Sequence, residues 1–229
     1  MSDLEVLESQ VNKLKSENNR IIEILGTILE SRNLEGEAHI QRVKEFTRIL
    51  SIAVMKLYPE YGINPDLVET ITVASSLHDI GKISIPDAIL FKPGRLTKEE
   101  FDYMKTHTDN GCKLLEKITG AWDETYHKVI YDICRHHHEK FDGKGYPDGL
   151  RGDEIPISAQ IVSVADVYDA LVCERCYKDA FTHEQAFNMI VSGECGMFNP
   201  KLMDCFKKCV GQFEEVANAN RERQIALGQ

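Results

Sequence analysis

No stretch of the 229-residue chain comes near the ~18 consecutive apolar residues that a bilayer-spanning helix needs. The N-terminal "MSDLEVLESQ" has neither the basic start nor the apolar stretch of a secretory signal. These absences point to a cytoplasmic protein without a membrane partner. A disulfide framework is missing too: the seven cysteines (112, 134, 173, 176, 195, 205, 209) are odd in number and scattered, so they read as reduced thiols. Cys173 and Cys176 form one C-x-x-C, with no second pair to complete a zinc knuckle. A formal charge of −10 leaves no domain-wide basic field, which excludes general binding of polymeric nucleic acid. An anionic ligand would have to meet a local cationic site. Sustained apolar–polar alternation, internal repeats, low-complexity segments and glycine-serine linkers are all absent.

What is present is enough apolar matter, 42% of residues, for one sizeable core, and the fold class it predicts is all-α. Helix starts are marked by capping chemistry: Asn64-Pro65 and Asn199-Pro200 pair an N-cap with a first-turn proline, while "TKEE" (97–100) and "THEQ" (182–185) have capping-box spacing. The proline- and glycine-containing stretches 80–96 and 141–156 are then loops between helices. Apolar residues at 4, 7, 11, 14, 21, 25 and 28 alternate three and four apart once Asn18 is counted, the stripe of a coiled coil. Ile22, Ile24 and Leu29 widen that stripe and admit a second reading, a helix folded onto its own domain. The expected division is an N-terminal coiled-coil helix over 1–32 and a catalytic domain over 33–229. Leu4, Val11, Asn18 and Leu25 at a, with Leu7, Leu14, Ile21 and Ile28 at d, predict a parallel homodimer in which the lone polar Asn18 sets register.

Chemistry-bearing residues gather where the helices should end. His78 and Asp79 sit toward the end of one predicted helix and Lys82 follows four residues after His78, a helical-face spacing if that helix continues past Gly81. Glu35 and His39 lie four apart at the start of the preceding helix, and His107 falls inside the helix opened by Thr97. His136, His137 and His138 close the helix that begins near Asp123. Asp166 stands in "AQIVSVADVYDALV", where a carboxylate among apolar neighbours is costly unless paired or coordinated. Taken singly these are ordinary capped or surface residues. Imidazoles and carboxylates from several helices together indicate a metal centre, and the lack of cysteine among them favours iron or manganese over structural zinc. A multinuclear centre can activate water and clamp the oxygens of a phosphoryl group during in-line displacement. The glycines of "DGKGYPDG" (142–149) would let the backbone approach a ligand.

"HDIGK" (78–82), "IPDAILFKPGRLTKEEF" (85–101), "HHE" (137–139), "DGKGYP" (142–147) and "VADVYDAL" (164–171) together resemble the HD-GYP family over residues ~35–210. The resemblance implies a bacterial HD-superfamily phosphodiesterase that hydrolyses cyclic di-GMP to pGpG, and in some members on to GMP. It implies two or three divalent ions, iron or manganese, held by Glu35, His39, His78, Asp79, His107, His137, His138 and Asp166, with Asp79 bridging and His136 outside the site. Asp79 and Lys82 would be catalytic, Lys82 stabilising phosphate charge. Gly145, Tyr146, Asp169, Arg175 and Lys178 would lie near the nucleotide. Two departures stand out: Arg175-Cys176-Tyr177-Lys178 replaces the usual Arg-Pro-Tyr-Lys, and the interval from His39 to His78, with its "LYPEYGINP", is long. Two rivals remain, an HD-superfamily phosphohydrolase with another substrate and a non-catalytic cyclic-dinucleotide sensor.

Overall fold

In the computed structural model, which describes residues 3–33, 36–117, 124–173 and 180–227, the capping signals act as the sequence predicts. Asn64 accepts from Leu67 N at 2.8 Å and opens α3 (Pro65–Ala74). Thr97 with Glu100, and Thr182 with Gln185, close complete capping boxes at α5 (Lys98–Lys105) and α9 (His183–Ser192). Asn199 Oδ1 accepts from Lys201 N at the start of α10 (Pro200–Leu227). The remaining helices are α1 (Asp3–Asn33), α2 (Gly36–Leu57), α4 (Asp87–Leu90), α6 (His107–Glu116), α7 (Glu124–His136) and α8 (Ile157–Val172). Among the described residues no strand forms; Asp142 and Arg151 make an isolated antiparallel bridge that pins the ends of the glycine-rich loop. Among the described residues no helix is long and apolar enough to cross a membrane.

Helix α2 is the central element, packed by α10, α3, α8 and α1. Its Phe46 stacks on Phe213 of α10, ring centroids 4.6 Å apart, and Tyr168 of α8 meets both rings edge-on at 5.2 Å. The Tyr168 hydroxyl is satisfied by His183 Nδ1 at 2.8 Å, so the ring can be fully buried. This aromatic block braces the helix that carries Asp166 and the helix that carries His39 from behind.

The first helix is folded onto its own domain along one face. Ile22 is fully buried in the common core, Leu29 packs against it, and a side chain at Gly26 would strike Ser76 O, so this face of α1 is seated on the domain. Arg32 extends the seat by donating to the carbonyls of Ile83 and Ile85 and to the Asp87 carboxylate. The heptad residues Leu4, Leu7, Val11, Leu14, Ile21, Leu25 and Ile28 are 40–66% exposed and lie off that face, whereas Asn18 is half-buried beside α3.

Two local expectations change. The α3 helix stops at Ala74 and continues as tight 3-10 turns over 75–77 and 80–84, so His78 and Asp79 are not helical and Lys82 meets Asp79 across one 3-10 turn. Gly81 explains this: its Cα lies so close to the His107 carbonyl and Gly111 N that a side chain could not fit. The helix opened by Thr97 breaks at Thr106, whose hydroxyl donates to Tyr103 O, leaving His107 as the first residue of α6. The glycine-rich segments 80–96 and 141–156 are turn-rich, as expected, with short helical turns inside them.

Truncating Phe46 to Ala should cost about 3–5 kcal/mol through the cavity left between α2, α8 and α10. A urea midpoint within error of the parent protein would show that the aromatic block does not brace the fold.

Candidate metal centre

The imidazoles are aimed by backbone carbonyls three or four residues earlier. His78 Nδ1 lies 2.8 Å from Ser75 O, His107 Nδ1 2.8 Å from Met104 O at the end of α5, and His137 Nδ1 2.9 Å from Ile133 O in the last turn of α7. A carbonyl only accepts, so each Nδ1 carries the proton and each Nε2 presents its lone pair. His39, near the start of α2, is oriented instead by the Asp169 carboxylate, 2.7 Å from its Nδ1.

These lone pairs converge on two carboxylates. Asp79, His107, His137 and His138 bring one donor atom each to within 4.8 Å of one another, and His39, His78 and Asp166 do the same beside them. Asp79 joins the groups: its Oδ1 lies 3.2 Å from His107 Nε2 and 3.6 Å from His137 Nε2, while Oδ2 lies 3.3 Å from His78 Nε2. Asp166 Oδ1 is 3.8 Å from His78 Nε2 and 3.9 Å from His39 Nε2. His107 Nε2, His137 Nε2 and Asp79 Oδ1 are fully buried without a hydrogen-bond partner in the protein, a costly state for polar atoms in a native core. Nitrogen and carboxylate oxygen donors at this spacing, unsatisfied by the protein, fit a pair of first-row divalent ions.

The electrostatics suit the same purpose. Burial pushes the Asp79 carboxyl up, but the Lys82 ammonium 2.5 Å away and the adjacent His78 outweigh it and hold the group ionised well below the usual range. Burial pushes His107 down to about 4, and burial together with His137 pushes His138 well below the ordinary histidine range. Both rings are therefore neutral, as ligands must be.

A third group, His136, Glu139 and Asp148, is structural. The Glu139 carboxylate accepts from the N–H groups of Asp148, Gly149 and Leu150 at 2.7, 3.0 and 3.1 Å, and Asp148 pairs with Arg135. This tie holds the glycine-rich loop against the histidines. Tyr146 of that loop lies over His138, centroids 4.7 Å apart, and edge-on to His107.

The structure thus brings together His39, His78, Asp79, His107, His137, His138, Asp166, Lys82 and Tyr146, with His136 turned to Asp148. Glu35, Arg175 and Lys178 lie outside the described residues. One expectation is corrected. Asp169, expected near the nucleotide, is buried, its oxygens taken by His39 and Arg42, because it projects one helical turn behind Asp166 into the α2–α8 interface. The space a side chain at Gly145 would occupy is filled by the Glu139–Lys140 backbone, so the loop's contact with its own chain requires glycine here. Arg42 and Glu139 were missed. Arg42 falls one turn after His39, a spacing that places both on one face of α2, whereas nothing local marks Glu139 as the loop's anchor.

A family model described as an HD domain matches residues 5–202. The chain belongs to the HD domain family. This HD-domain chain is 37% identical over 230 residues to a probable cyclic di-GMP phosphodiesterase of Vibrio cholerae, covering 96% of itself and 52% of that protein. It is 38% identical over 206 residues to a cyclic di-GMP phosphodiesterase of Thermotoga maritima, covering 90% of itself and 53% of the relative. The HD-domain chain therefore spans about half the length of these curated relatives. A solved cyclic GMP-AMP specific phosphodiesterase from Vibrio cholerae shares the fold, with a TM-score of 0.57 and 16% identity over 89% of this chain and 53% of that one.

Because the unfolded chain protonates its histidines near 6.5 while folded His107 does so at about 4, protons favour unfolding between these values. Metal-free protein should therefore lose stability as pH falls from 6.5 toward 4, and a His107→Gln variant should lose less. Urea midpoints in chelator that stay flat across this window would show that the imidazoles are not held neutral by the fold.

Proposed function

We propose that this chain hydrolyses cyclic di-GMP to linear pGpG, and onward to GMP, at a centre of two divalent ions, iron or manganese. The observation that carries the reading is the buried Asp79 carboxylate shared between two sets of inward-facing imidazole and carboxylate donors. The names of relatives that align with most of the chain support the substrate. The ligands would be His39, His78 and Asp166 for one ion and His107, His137 and His138 for the other, with Asp79 common to both. Glu35 completes the set as a candidate for a third ion.

When bound, the ions supply Lewis acidity toward phosphoryl oxygens and acidify water. The protein's own part is positional. Asp79 lies between the two sets of imidazoles and Asp166 beside His78 and His39, while local carbonyls and Asp169 fix the imidazole tautomers. Lys82, at the edge of the cluster, offers its ammonium to a phosphate oxygen, which gives an acidic protein the local cation a dianionic substrate needs. Tyr146 walls the pocket over His138. Arg175 and Lys178 would supply further contacts to the nucleotide.

We further infer a cytoplasmic enzyme organised as an N-terminal coiled coil over 1–32 and a catalytic domain over 33–229, paired as a parallel homodimer through α1. Support comes from the seven exposed heptad residues, more apolar surface than a lone helix keeps in water. Because Ile22 belongs to the core, the clean test removes residues 1–19 only. That variant should stay folded and sediment as a monomer at micromolar concentration, where the full chain is a dimer; a truncated protein that remains dimeric overturns this assembly.

The activity is tested by loading the protein anaerobically with Fe(II) or Mn(II) and following cyclic di-GMP, cyclic GMP-AMP and a generic phosphodiester by chromatography. Conversion of cyclic di-GMP to pGpG is expected, with a loss of at least ~100-fold in Asp79→Ala, the scale of losing a metal-site partner. Full activity in that variant sinks the site assignment, and tight binding without turnover identifies a sensor instead.

A further inference from the structure

Three of the four imidazoles that face the centre with a fixed tautomer lean on neutral backbone carbonyls, and one does not. His39 Nδ1 donates to Asp169 Oδ2 at 2.7 Å. The Arg42 guanidinium grips the same carboxylate from the other side, Nε 2.5 Å from Oδ1 and Nη2 3.0 Å from Oδ2. The Cys173 thiol adds a weak contact to Oδ1 at 3.6 Å. All three charged or imidazole side chains are at most 8% exposed. A buried carboxylate of this kind would ordinarily be expensive. Here the bidentate guanidinium neutralises and immobilises it. The carboxylate is thereby denied to the ions and left with one task, holding the Nδ1 proton of His39.

We infer that Arg42 and Asp169 are positioning residues that act through His39 on one metal subsite only, making the two ions chemically unequal. This rests on the metal-centre reading given above. A carboxylate partner raises the basicity of a ligating imidazole and locks its ring, whereas a carbonyl partner mainly orients it. The two subsites share Asp79, which lies 3.3 Å from His78 Nε2 through one oxygen and 3.2 Å from His107 Nε2 through the other, so what distinguishes them is the carboxylate partner of His39. The geometry also excludes the alternative for Asp169: with both oxygens engaged and no exposed surface, it has nothing to offer a nucleotide.

The test is Mn²⁺ binding to chelator-stripped protein, with free ion followed by its EPR signal and the bound total checked by elemental analysis. The full chain should take up at least two ions. In Asp169→Asn one ion should bind as before and one should weaken roughly 10- to 100-fold, the range seen when a ligand's outer partner is lost. Because that variant leaves Arg42 buried without its anion, Asp169→Asn/Arg42→Met is measured beside it and should show the same selective loss and no more. Arg42→Lys, which keeps the charge but not the two-pronged grip, should fall between. Circular dichroism confirms the fold of each. Uptake of no Mn²⁺ by the full chain would refute the metal-centre reading itself. Unchanged affinity for both ions in a folded variant, equal weakening of both, or a raised KM for cyclic di-GMP with unaltered metal binding would overturn the inference alone.

Discussion

The Asp79 carboxylate, buried and held ionised by the Lys82 ammonium 2.5 Å away, is the interaction around which the rest of the site is arranged. A lone charge at that depth would be neutralised or expelled. Lys82 can reach it because the chain after His78 winds as a tight 3-10 turn, and that turn exists because Gly81 permits direct backbone contact with α6. The same contact seats His107 at the start of α6, where its ring meets Asp79 Oδ1. One glycine thus connects the pair of adjacent residues, the lysine and a histidine from another helix.

The imidazoles gather at helix ends for a related reason. A carbonyl that already accepts a backbone N–H keeps a second lone pair, and a histidine three or four residues later can take it with Nδ1. Met104, Ile133 and Ser75 play this part for His107, His137 and His78, so the last turn of each element also selects a tautomer. His39 lies near the start of a helix rather than at the end of one. Its proton goes to Asp169, a residue of α8, and the position of that residue depends on the α2–α8 packing braced by Phe46, Tyr168 and Phe213.

The first helix links this centre to the surface. Its inner face reaches the core through Ile22 and touches both 3-10 turns flanking His78 and Asp79, by Gly26 against Ser76 and by Arg32 on the carbonyls of residues 83 and 85. The outer apolar stripe is left to solvent in the single chain. A helix mounted in this way is both part of the domain and a handle on it.

Much of this was legible without a fold. Capping boxes at Thr97 and Thr182 and the caps at Asn64 and Asn199 depend on spacings of a few residues, where side chain and backbone meet whatever the rest of the chain does, while the set of His78, Asp79, His107, His137, His138 and Asp166 was implied by the resemblance of their motifs to the HD-GYP family. The heptad of α1 is equally local, and its period shows which residues share a stripe but not that Ile22 and Gly26 turn a neighbouring face to the domain. What tertiary structure decided are contacts between residues far apart in sequence: Arg42 and His39 on Asp169, Gly145 against Glu139, Gly81 against His107. No periodicity encodes these, because each is set by how closely two elements approach, and that distance follows from the packing of side chains that carry no chemistry of their own.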